Sequence, residues 1–290
     1  MDRKAKRIRF TGFMALIAMS LAGGSALAGG FLDIEFGDSL ISTPRQIDND
    51  YWPLNPDGST NIHSFTYESE ADDECVVNSI FVNGGHPYYG DGMKSILGYD
   101  VLEVLDIEWI DAECDDIVTD DDITEMTFDW YVQDDWQNIW YMGELSRTFE
   151  DECEGFFMLD PDTPTTILED DECYEGSWEA GVEFGEGDDA VVGEPGIVVP
   201  GDFPLGDGES IKNGTYYMQE VAFEAEDMAK ILRQHAPLVD YSNCRKVKEW
   251  TALEPGGSVE HKWYCADGPG LVLIEGIGGG PTEQEVLVTP

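Results

Sequence analysis

The stretch Ile123-Thr-Glu-Met-Thr-Phe-Asp-Trp-Tyr-Val-Gln133 decides the fold class, because its side chains alternate with a period of two. One face carries Met126, Phe128, Trp130 and Val132, and the other carries Thr127, Asp129, Tyr131 and Gln133. Alternation of this kind is typical of a β-strand. Turn-forming residues at 134–138 lead into a second run at 139–144, so the two runs predict an antiparallel hairpin.

The same period recurs elsewhere and predicts more strands, at residues 61–67, 75–82 and 101–110. A second hairpin is predicted around Asn213-Gly214, and a third joins residues 244–251 to 258–266. Only residues 224–233 place apolar side chains near helical spacing, which predicts one short helix. We therefore expect a mainly β, disulfide-bonded chain: a curved antiparallel sheet, or an open barrel or sandwich, with at most one short helix.

The N-terminus has the three parts of a signal peptide. Five basic residues precede the apolar run 13–21, and Ala26-Leu27-Ala28 is a cleavage signal. We expect residues 1–28 to direct export by the Sec route to the periplasm or the cell exterior, with no membrane span after cleavage. The rest is predicted to comprise a flexible segment at 29–48, a single β-rich domain at 49–275 with an acidic insertion near 154–172, and a tail at 276–290.

The charge balance excludes one class of partner. The chain of 290 residues has 61 Asp and Glu against 15 Lys and Arg, a formal net charge of -46. A nucleic-acid binder needs the opposite sign, because it must neutralise phosphates. One interpretation of the acidity is a solvated surface whose repulsion is screened by salt. The other is that carboxylate clusters such as Asp120, Asp121 and Asp122 hold calcium, although none of them fits an EF-hand loop.

Six cysteines, all after the predicted cleavage site, predict three disulfides in an exported chain. We expect Cys244 to pair with Cys265, Cys153 with Cys173 at the base of the acidic insertion, and, by elimination, Cys75 with Cys114. Four of the six follow acidic residues, which disfavours a reactive thiolate. Zinc is disfavoured because the spacings lack the short pairs of a zinc site.

The third hairpin gives one constellation of candidate ligands. If Cys244 faces Cys265, the register places Glu249 opposite Glu260, and two like charges so placed are destabilising. Lys262 on the same strand relieves this repulsion in one interpretation. In the other, Glu249 and Glu260 contribute to a divalent-cation or polar-ligand site, with Glu144 or Glu179 as further members.

Several motifs together resemble a family of uncharacterised exported bacterial proteins. They are Asp129-Trp-Tyr-Val-Gln-Asp134, Trp140-Tyr-Met-Gly-Glu144, Gly176-Ser-Trp-Glu-Ala-Gly181, Glu249-Trp-Thr-Ala-Leu-Glu-Pro-Gly256, Glu260-His-Lys262 and Gly270-Leu-Val272. The resemblance implies an antiparallel, β-rich exported domain and carries no activity or functional residues. The chain departs from the family pattern at Gln137, where a glycine is usual, and at 266–270.

No catalytic signature emerges from the sequence. Ser177 is outside a G-x-S-x-G elbow, and the four histidines form no H-x3-H pair. We therefore expect a non-catalytic binder of a small ligand, a divalent cation or an envelope partner, with no required cofactor and calcium as the candidate ion. A secreted carbohydrate-active hydrolase with a carboxylate pair is the alternative. A structural surface or filament subunit is the third hypothesis.

Overall fold

The structure is a computed structural model that describes residues 30–32, 34–58, 63–71, 74–83, 94–112, 114–115, 117–149, 153, 172–174, 176–184, 190–201, 211–221, 227–251, 259–277 and 284–289. The predicted signal peptide and most of the acidic insertion lie outside these residues.

The described part of the chain is built almost entirely from β-strands. They are β1 His63–Ala71, β2 Glu74–Val82, β3 Ser95–Ile96, β4 Tyr99–Asp100, β5 Leu102–Asp111, β6 Ile123–Gln133, β7 Ile139–Thr148, β8 Trp178–Glu179, β9 Glu183–Phe184, β10 Val191–Val192, β11 Glu194–Val199, β12 Tyr216–Met218, β13 Glu220–Val221, β14 Asp227–Leu238, β15 Tyr241–Thr251, β16 Val259–Cys265, β17 Gly270–Gly276 and β18 Gln284–Thr289. Two single 3-10 turns, Asp120–Asp122 and Glu172–Tyr174, accompany them. Among the described residues, no helix has the length and apolarity needed to cross a membrane.

Fourteen strands form one antiparallel sheet in the order β12-β14-β15-β16-β17-β18-β1-β2-β5-β6-β7-β11-β13, with β8 paired to β7. The sheet is not closed into a barrel, but its two ends are connected by one short segment. Strand β12 pairs with β14 at one end, and β13 pairs with β11 at the other. Gln219, between them, donates its backbone N–H to Asp227 and its side-chain amide to the Val198 carbonyl. This segment therefore makes the sheet curve around an interior.

The strand predictions are confirmed for most of the sheet. The first predicted hairpin is β6 and β7, and the first strand has the predicted bounds. The third is β15 and β16, whose ladder pairs Cys244 with Cys265 and Glu249 with Glu260 as expected. The mainly β antiparallel fold is therefore correct, and a curved open sheet is the alternative that the structure adopts.

The predicted helix at 224–233 is wrong. Residues 224–226 lie outside the described part, and the remainder belongs to the long strand β14. Ala229 and Ile231 are buried at alternate positions, where they face Glu249 and Val247 of β15. A full ladder against a neighbouring strand therefore outweighs a short helical pattern, because weak local preferences yield to tertiary pairing.

The second predicted hairpin is tested only in part, because residues 202–210 before its turn lie outside the described part of the chain. Asn213-Gly214 does form a turn, with Gly214 at a φ of 89°. The aromatic run after this turn is divided between the two ends of the sheet, as β12 and β13, and β12 pairs with the following strand β14. The turn therefore leads into the segment that connects the sheet ends.

The two predicted terminal segments belong to the domain. The segment 276–290, predicted as a tail, contains β18, which lies inside the sheet between β17 and β1. In the segment 29–48, Leu32 and Ile47 are buried in the core. The Pro44 carbonyl also accepts a hydrogen bond from the Gln133 backbone N–H. Local hydrophobicity did not predict this, because both segments are held by partners distant in sequence.

Three disulfides join Cys75 to Cys114, Cys153 to Cys173 and Cys244 to Cys265, which confirms the predicted pairing. The cross-strand pair Cys244–Cys265 has Cα atoms 3.9 Å apart. It lies in the second, smaller apolar cluster with Val272. Three bridges in one chain are typical of a protein from an oxidising, non-cytosolic compartment.

Both faces of the central strands are buried. On the outer face of β6, Met126, Phe128 and Trp130 have no exposed surface. The covering layer includes Lys94, whose ammonium lies 3.4 Å from the Trp130 ring centroid and 2.8 Å from the Glu179 carboxylate. The inner face, with Asp129 and Tyr131, is buried as well. The alternation in the sequence therefore separates an apolar packed layer from a polar interior, rather than core from solvent.

A test of the connection between the sheet ends uses Gly196 of β11. A Cβ atom at this position would lie 1.9 Å from the Gln219 carbonyl oxygen, so Gly196→Ala must displace backbone. We expect this variant to lose at least about 2 kcal/mol of unfolding free energy, the usual size of a substitution that forces the backbone to shift. Urea denaturation followed by tryptophan fluorescence measures the change.

The matched control is Gly30→Ala, because no heavy atom lies within 4 Å of a Cβ placed there. It should change the unfolding free energy by less than about 0.5 kcal/mol. Equal stability of the two variants would show that the close approach of β11 and β13 does not hold the sheet ends together.

Candidate functional site

The interior of the curved sheet contains a cavity of about 220 Å³. Its walls come from both halves of the sheet, including β1, β2, β5 and β6 on one side and β14 to β18 on the other. Six carboxyl groups line it, those of Asp106, Asp129, Glu220, Asp227, Glu249 and Glu285. Lys262 is the only cationic side chain among its lining residues. The cavity is therefore a space with a strong excess of acidic groups inside the fold.

A second cavity of about 170 Å³ adjoins the first and shares Asn78, Asp106 and Asp129 with it. It adds three more carboxyl groups, from Glu108, Glu125 and Glu144. Glu125 is exposed, so this second space reaches the protein surface. The shared residues place the two cavities next to each other along the inner face of β5 and β6.

Asp129 and Glu144 meet at a single phenol. The Tyr141 hydroxyl lies 2.7 Å from Glu144 Oε2 and also within hydrogen-bond distance of Asp129 Oδ1. A phenol has one proton to donate, so it cannot satisfy two ionised carboxylates. One of the two carboxyl groups must hold a proton and donate it to the phenol oxygen.

The electrostatic surroundings agree with a retained proton. Burial raises the pKa of Asp129 well above its ordinary value, and the nearby Glu144 carboxyl raises it further. Burial also raises the pKa of Glu144 well above its ordinary value, with Glu220 as the next cause. Removing a carboxylate from water disfavours its charged form, and a like charge nearby acts in the same direction.

A β-bulge brings Tyr141 and Glu144 onto the same face. These residues are three apart, and in a regular strand they would point to opposite sides. The β6–β7 register shifts between Trp130 and Tyr131, so that Tyr131 faces Tyr141 while Trp130 faces Gly143. Gly143 adopts a φ of 135°, and a Cβ there would lie 2.4 Å from the Trp178 carbonyl oxygen. The glycine therefore makes possible the bulge that assembles the pair.

Asp106 is the least satisfied carboxyl group of the site. Its Oδ1 atom is buried and accepts no hydrogen bond from the described residues, although the Asn78 side chain bonds to the carboxyl group. Burial, followed by the carboxyls of Asp129 and Glu125, raises the pKa of Asp106 well above its ordinary value. A buried acceptor without a donor is costly, so this atom is suited to a donor on a bound molecule.

Lys262 balances only part of the acidic charge. Its ammonium lies 2.8 Å from Glu249 Oε2 and 3.8 Å from Glu260 Oε2. Burial alone would lower its pKa, but Glu249 and Glu260 raise it well above the ordinary value, so Lys262 stays charged. One cation cannot neutralise the carboxyl groups of both cavities.

Four aromatic rings line the larger cavity, those of Trp52, Tyr131, Tyr141 and Tyr264. Tyr131 stacks on Tyr141 with ring centroids 5.0 Å apart. Trp52 packs edge-on against Tyr131 and Tyr264, with centroid distances of 5.5 and 6.0 Å. The Tyr264 hydroxyl donates to Glu249 Oε1 at 3.4 Å. The site thus combines carboxylates with π-faces, which both attract cations.

The candidate residues from the sequence have different positions. Glu249 lines the larger cavity and Glu144 the smaller one, whereas Glu179 pairs with Lys94. Glu260 faces Glu249 across the ladder, and its side chain is 43% exposed. Asp120, Asp121 and Asp122 form a 3-10 turn before β6, without a buried residue. Among the described residues, no group of three or more His, Cys, Asp or Glu side chains is arranged to hold a metal ion.

Sequence reasoning missed Asp106, Asp129, Glu220 and Asp227 as site residues. The available signal was an acidic residue at an inward position of an otherwise apolar strand, as in Leu102–Asp111. This signal was not decisive, because both faces of a strand repeat every two residues. The sequence therefore does not say whether the face with the acidic residue meets solvent or the interior.

The chain matches no protein-family model, no curated protein and no solved structure. The resemblance to uncharacterised exported proteins therefore stays a prediction, and the function has to be argued from the site itself.

The raised carboxyl pKa values predict an unusual pH dependence of stability. In the folded state, raised pKa values favour the protonated forms of four carboxyl groups, those of Asp106, Asp129, Glu144 and Glu220. In the unfolded chain the same groups lose their protons near pH 4. The unfolding free energy should therefore be highest near pH 4 to 5 and should fall up to about pH 8, the pKa of Glu220. Each retained proton contributes a slope of about 1.4 kcal/mol per pH unit.

Urea denaturation at pH 5, 6, 7 and 8 measures this slope. Asp106→Asn should make the slope less steep by up to the contribution of one proton, about 1.4 kcal/mol per pH unit, since the amide resembles the protonated acid. Asp121→Asn removes an exposed carboxyl and should leave the slope nearly unchanged, which separates the cavity from surface repulsion. An unfolding free energy that rises between pH 5 and 8 would contradict the interpretation that the folded state retains protons on these carboxyl groups.

Proposed function

We propose that this protein binds a small organic cation, an amine or a quaternary ammonium compound, in the cavity between the two halves of its sheet. The observation that carries the proposal is the excess of inward-facing carboxyl groups around Lys262 in a space of about 220 Å³. The three disulfides support a site of action in an oxidising compartment. Export by the predicted signal peptide is part of the same proposal.

Electrostatics favours a cationic ligand. Burial and neighbouring carboxyl groups raise the pKa values of Asp129 and Glu220, because ionising such groups side by side in a desolvated space is unfavourable. A positive ligand would replace the protons of these groups and make ion pairs with the carboxylates. The unsatisfied Oδ1 of Asp106 would gain a donor in the same step.

The size and lining of the site favour an organic cation over a bare metal ion. One water molecule occupies about 30 Å³ in the liquid, so the larger cavity has the volume of a small molecule. The rings of Trp52, Tyr131, Tyr141 and Tyr264 line the same space. Aromatic faces bind ammonium groups through cation–π attraction. A metal ion that keeps its water shell does not contact the ring faces directly.

The test is isothermal titration calorimetry of the purified protein with putrescine, spermidine and choline. We expect at least one of them to bind saturably and to stabilise the protein by about 2.7 kcal/mol at a hundredfold excess over its Kd. Asp129→Asn should weaken binding at least about tenfold, the equivalent of one lost charge pair in a buried site. The matched control Asp121→Asn, exposed and outside the cavity, should bind normally.

The pH dependence of the same titration gives a second check. Burial, followed by the Asp227 carboxyl, raises the pKa of Glu220 to about 8. A cation binds the ionised form better, so binding should release protons and tighten between pH 6 and 9. Glu220→Gln should remove the change near pH 8.

Calcium is the control ligand, because the sequence also predicts calcium sites at Asp120, Asp121, Asp122, Glu249 and Glu260. Stabilisation by calcium beyond that of sodium chloride at equal ionic strength, and lost in the triple Asp120→Asn/Asp121→Asn/Asp122→Asn variant, would favour calcium binding by that turn. No binding of any organic cation would contradict the proposal.

A second candidate function rests on the pair Asp129 and Glu144. Both reach one phenol oxygen, which limits the separation of their nearest oxygens to about 5 Å by ordinary hydrogen-bond lengths. Retaining glycosidases use two carboxyl groups about 5 to 5.5 Å apart, one protonated and one ionised. Release of nitrophenol from aryl glycosides, abolished by Glu144→Gln in a protein that still folds, would favour hydrolysis over simple binding.

A further inference from the structure

The outer face of β14, β15 and β16 concentrates the scarce positive charges of the chain. Of the 15 basic residues, five lie in the first nine positions, and six of the other ten lie between Lys230 and Lys262. Lys262 points into the cavity, whereas Lys230, Lys246 and Lys248 alternate with inward residues and so lie on the opposite face. This face is a different surface from the proposed cation site.

Like charges face one another directly on this surface. The ladder pairs Lys230 with Lys248 and Arg233 with Lys246. Directly opposed like charges destabilise a sheet. Among the described residues, Lys230, Arg233 and Lys248 form no ion pair, although the chain has 61 acidic side chains.

Within the described part of this face, Lys246 is the one cation that forms an ion pair. Its ammonium lies 2.8 Å from Glu275 Oε2, which also accepts a hydrogen bond from Trp263 Nε1 at 2.7 Å. The pKa of His261 is lowered, first by burial and then by Lys246, although Glu275 opposes this shift. The geometry of the ladder nevertheless places Lys230, Arg233 and Lys248 together on one face of a protein whose net charge is strongly negative.

Two tryptophans lie among the cations. The Lys248 ammonium is 4.8 Å from the Trp250 ring centroid, and the Lys246 ammonium is 4.6 Å from that of Trp263. Both rings are partly exposed. Flat aromatic rings stack against the C–H faces of sugar rings, and the neighbouring ammonium groups match acidic substituents on such rings.

We propose that the outer face of β14 to β16 binds a linear anionic glycan, a chain of sugars that carry carboxylate or sulfate groups. Lys230, Arg233 and Lys248 contact the acidic groups, and Trp250 and Trp263 stack on the sugars. Cations on successive strands are about 4.8 Å apart, so a chain laid across the strands meets them in turn.

The arrangement of the strands favours a glycan over an acidic peptide. Strands β15 and β16 are paired on both sides, and β14 is paired with β15 on one side and with the short β12 over Met228–Lys230 on the other, so the backbone at the centre of this face is engaged in the ladder. An extended peptide usually binds a sheet by adding a strand to a free edge, and this face offers none at its centre. Recognition here must use side chains alone.

The experiment measures binding of polygalacturonate, which carries carboxylates, and of heparin, which carries sulfates, to the purified protein by calorimetry. Dextran is the uncharged control and poly-glutamate the peptide control. Sodium chloride at 100 mM limits the Debye length to about 10 Å, so that repulsion from the rest of the acidic surface is screened. We expect saturable binding of one or both anionic glycans, and none of dextran.

The variants isolate the face. Lys230→Gln/Lys248→Gln should weaken glycan binding about tenfold, the combined effect of two exposed charge pairs. Lys230→Arg/Lys248→Arg keeps the charges and should keep most of the affinity. Arg45→Gln/Lys94→Gln removes the same net charge away from this face and should bind nearly normally.

Thermal melting of each variant separates binding from stability. If the lysines only balance the carboxylates on the inner face, the double glutamine variant will melt at a lower temperature and bind glycans as before, which would overturn the proposal. Failure of both anionic glycans to bind, or tighter binding of poly-glutamate, would overturn it as well. None of these outcomes depends on the cavity, since organic-cation binding is measured separately.

Discussion

Desolvation of carboxyl groups on the inner face of the sheet is the constraint on which the interior of this protein depends. An ionised carboxylate away from water needs a counter-charge or several donors, and otherwise it takes up a proton. Around Asp106, Asp129 and Glu144 the protein supplies one phenol, one asparagine and short polar side chains. The single lysine of the cavity is already engaged by Glu249 and Glu260. The pKa values of these interior carboxyl groups are therefore raised, which favours their protonated forms.

The curvature of the sheet makes that interior possible. Antiparallel pairing continues from β12 to β13, and the segment around Gln219 holds the two ends near each other. Carboxyl groups from strands far apart in the sheet, such as Asp106 of β5 and Asp227 of β14, consequently line one cavity. A flat sheet with the same strands would expose these groups to water, where they would ionise normally.

The two faces of β14 to β16 show how the chain distributes its charge. Inward positions carry Asp227, Glu249 and Lys262, while outward positions carry Lys230, Lys246 and Lys248. Because alternate side chains of a strand point to opposite faces, neighbouring residues serve surfaces of opposite sign. The same few strands thus support a proposed cation site inside and a proposed anionic-glycan site outside.

The sequence by itself determined the fold class, most strands, the three disulfides and the register of the hairpin β15–β16. The strands depend on local alternation, which is visible within a few residues, and the even number of cysteines left one bridge to be assigned by elimination once the other two were expected. The tertiary structure decided the rest: β14 as a strand instead of a helix, β18 as an interior strand, and Asp106 and Asp129 as cavity residues. Each depends on partners distant in sequence, since a period of two cannot say whether a polar face meets solvent or another part of the same sheet.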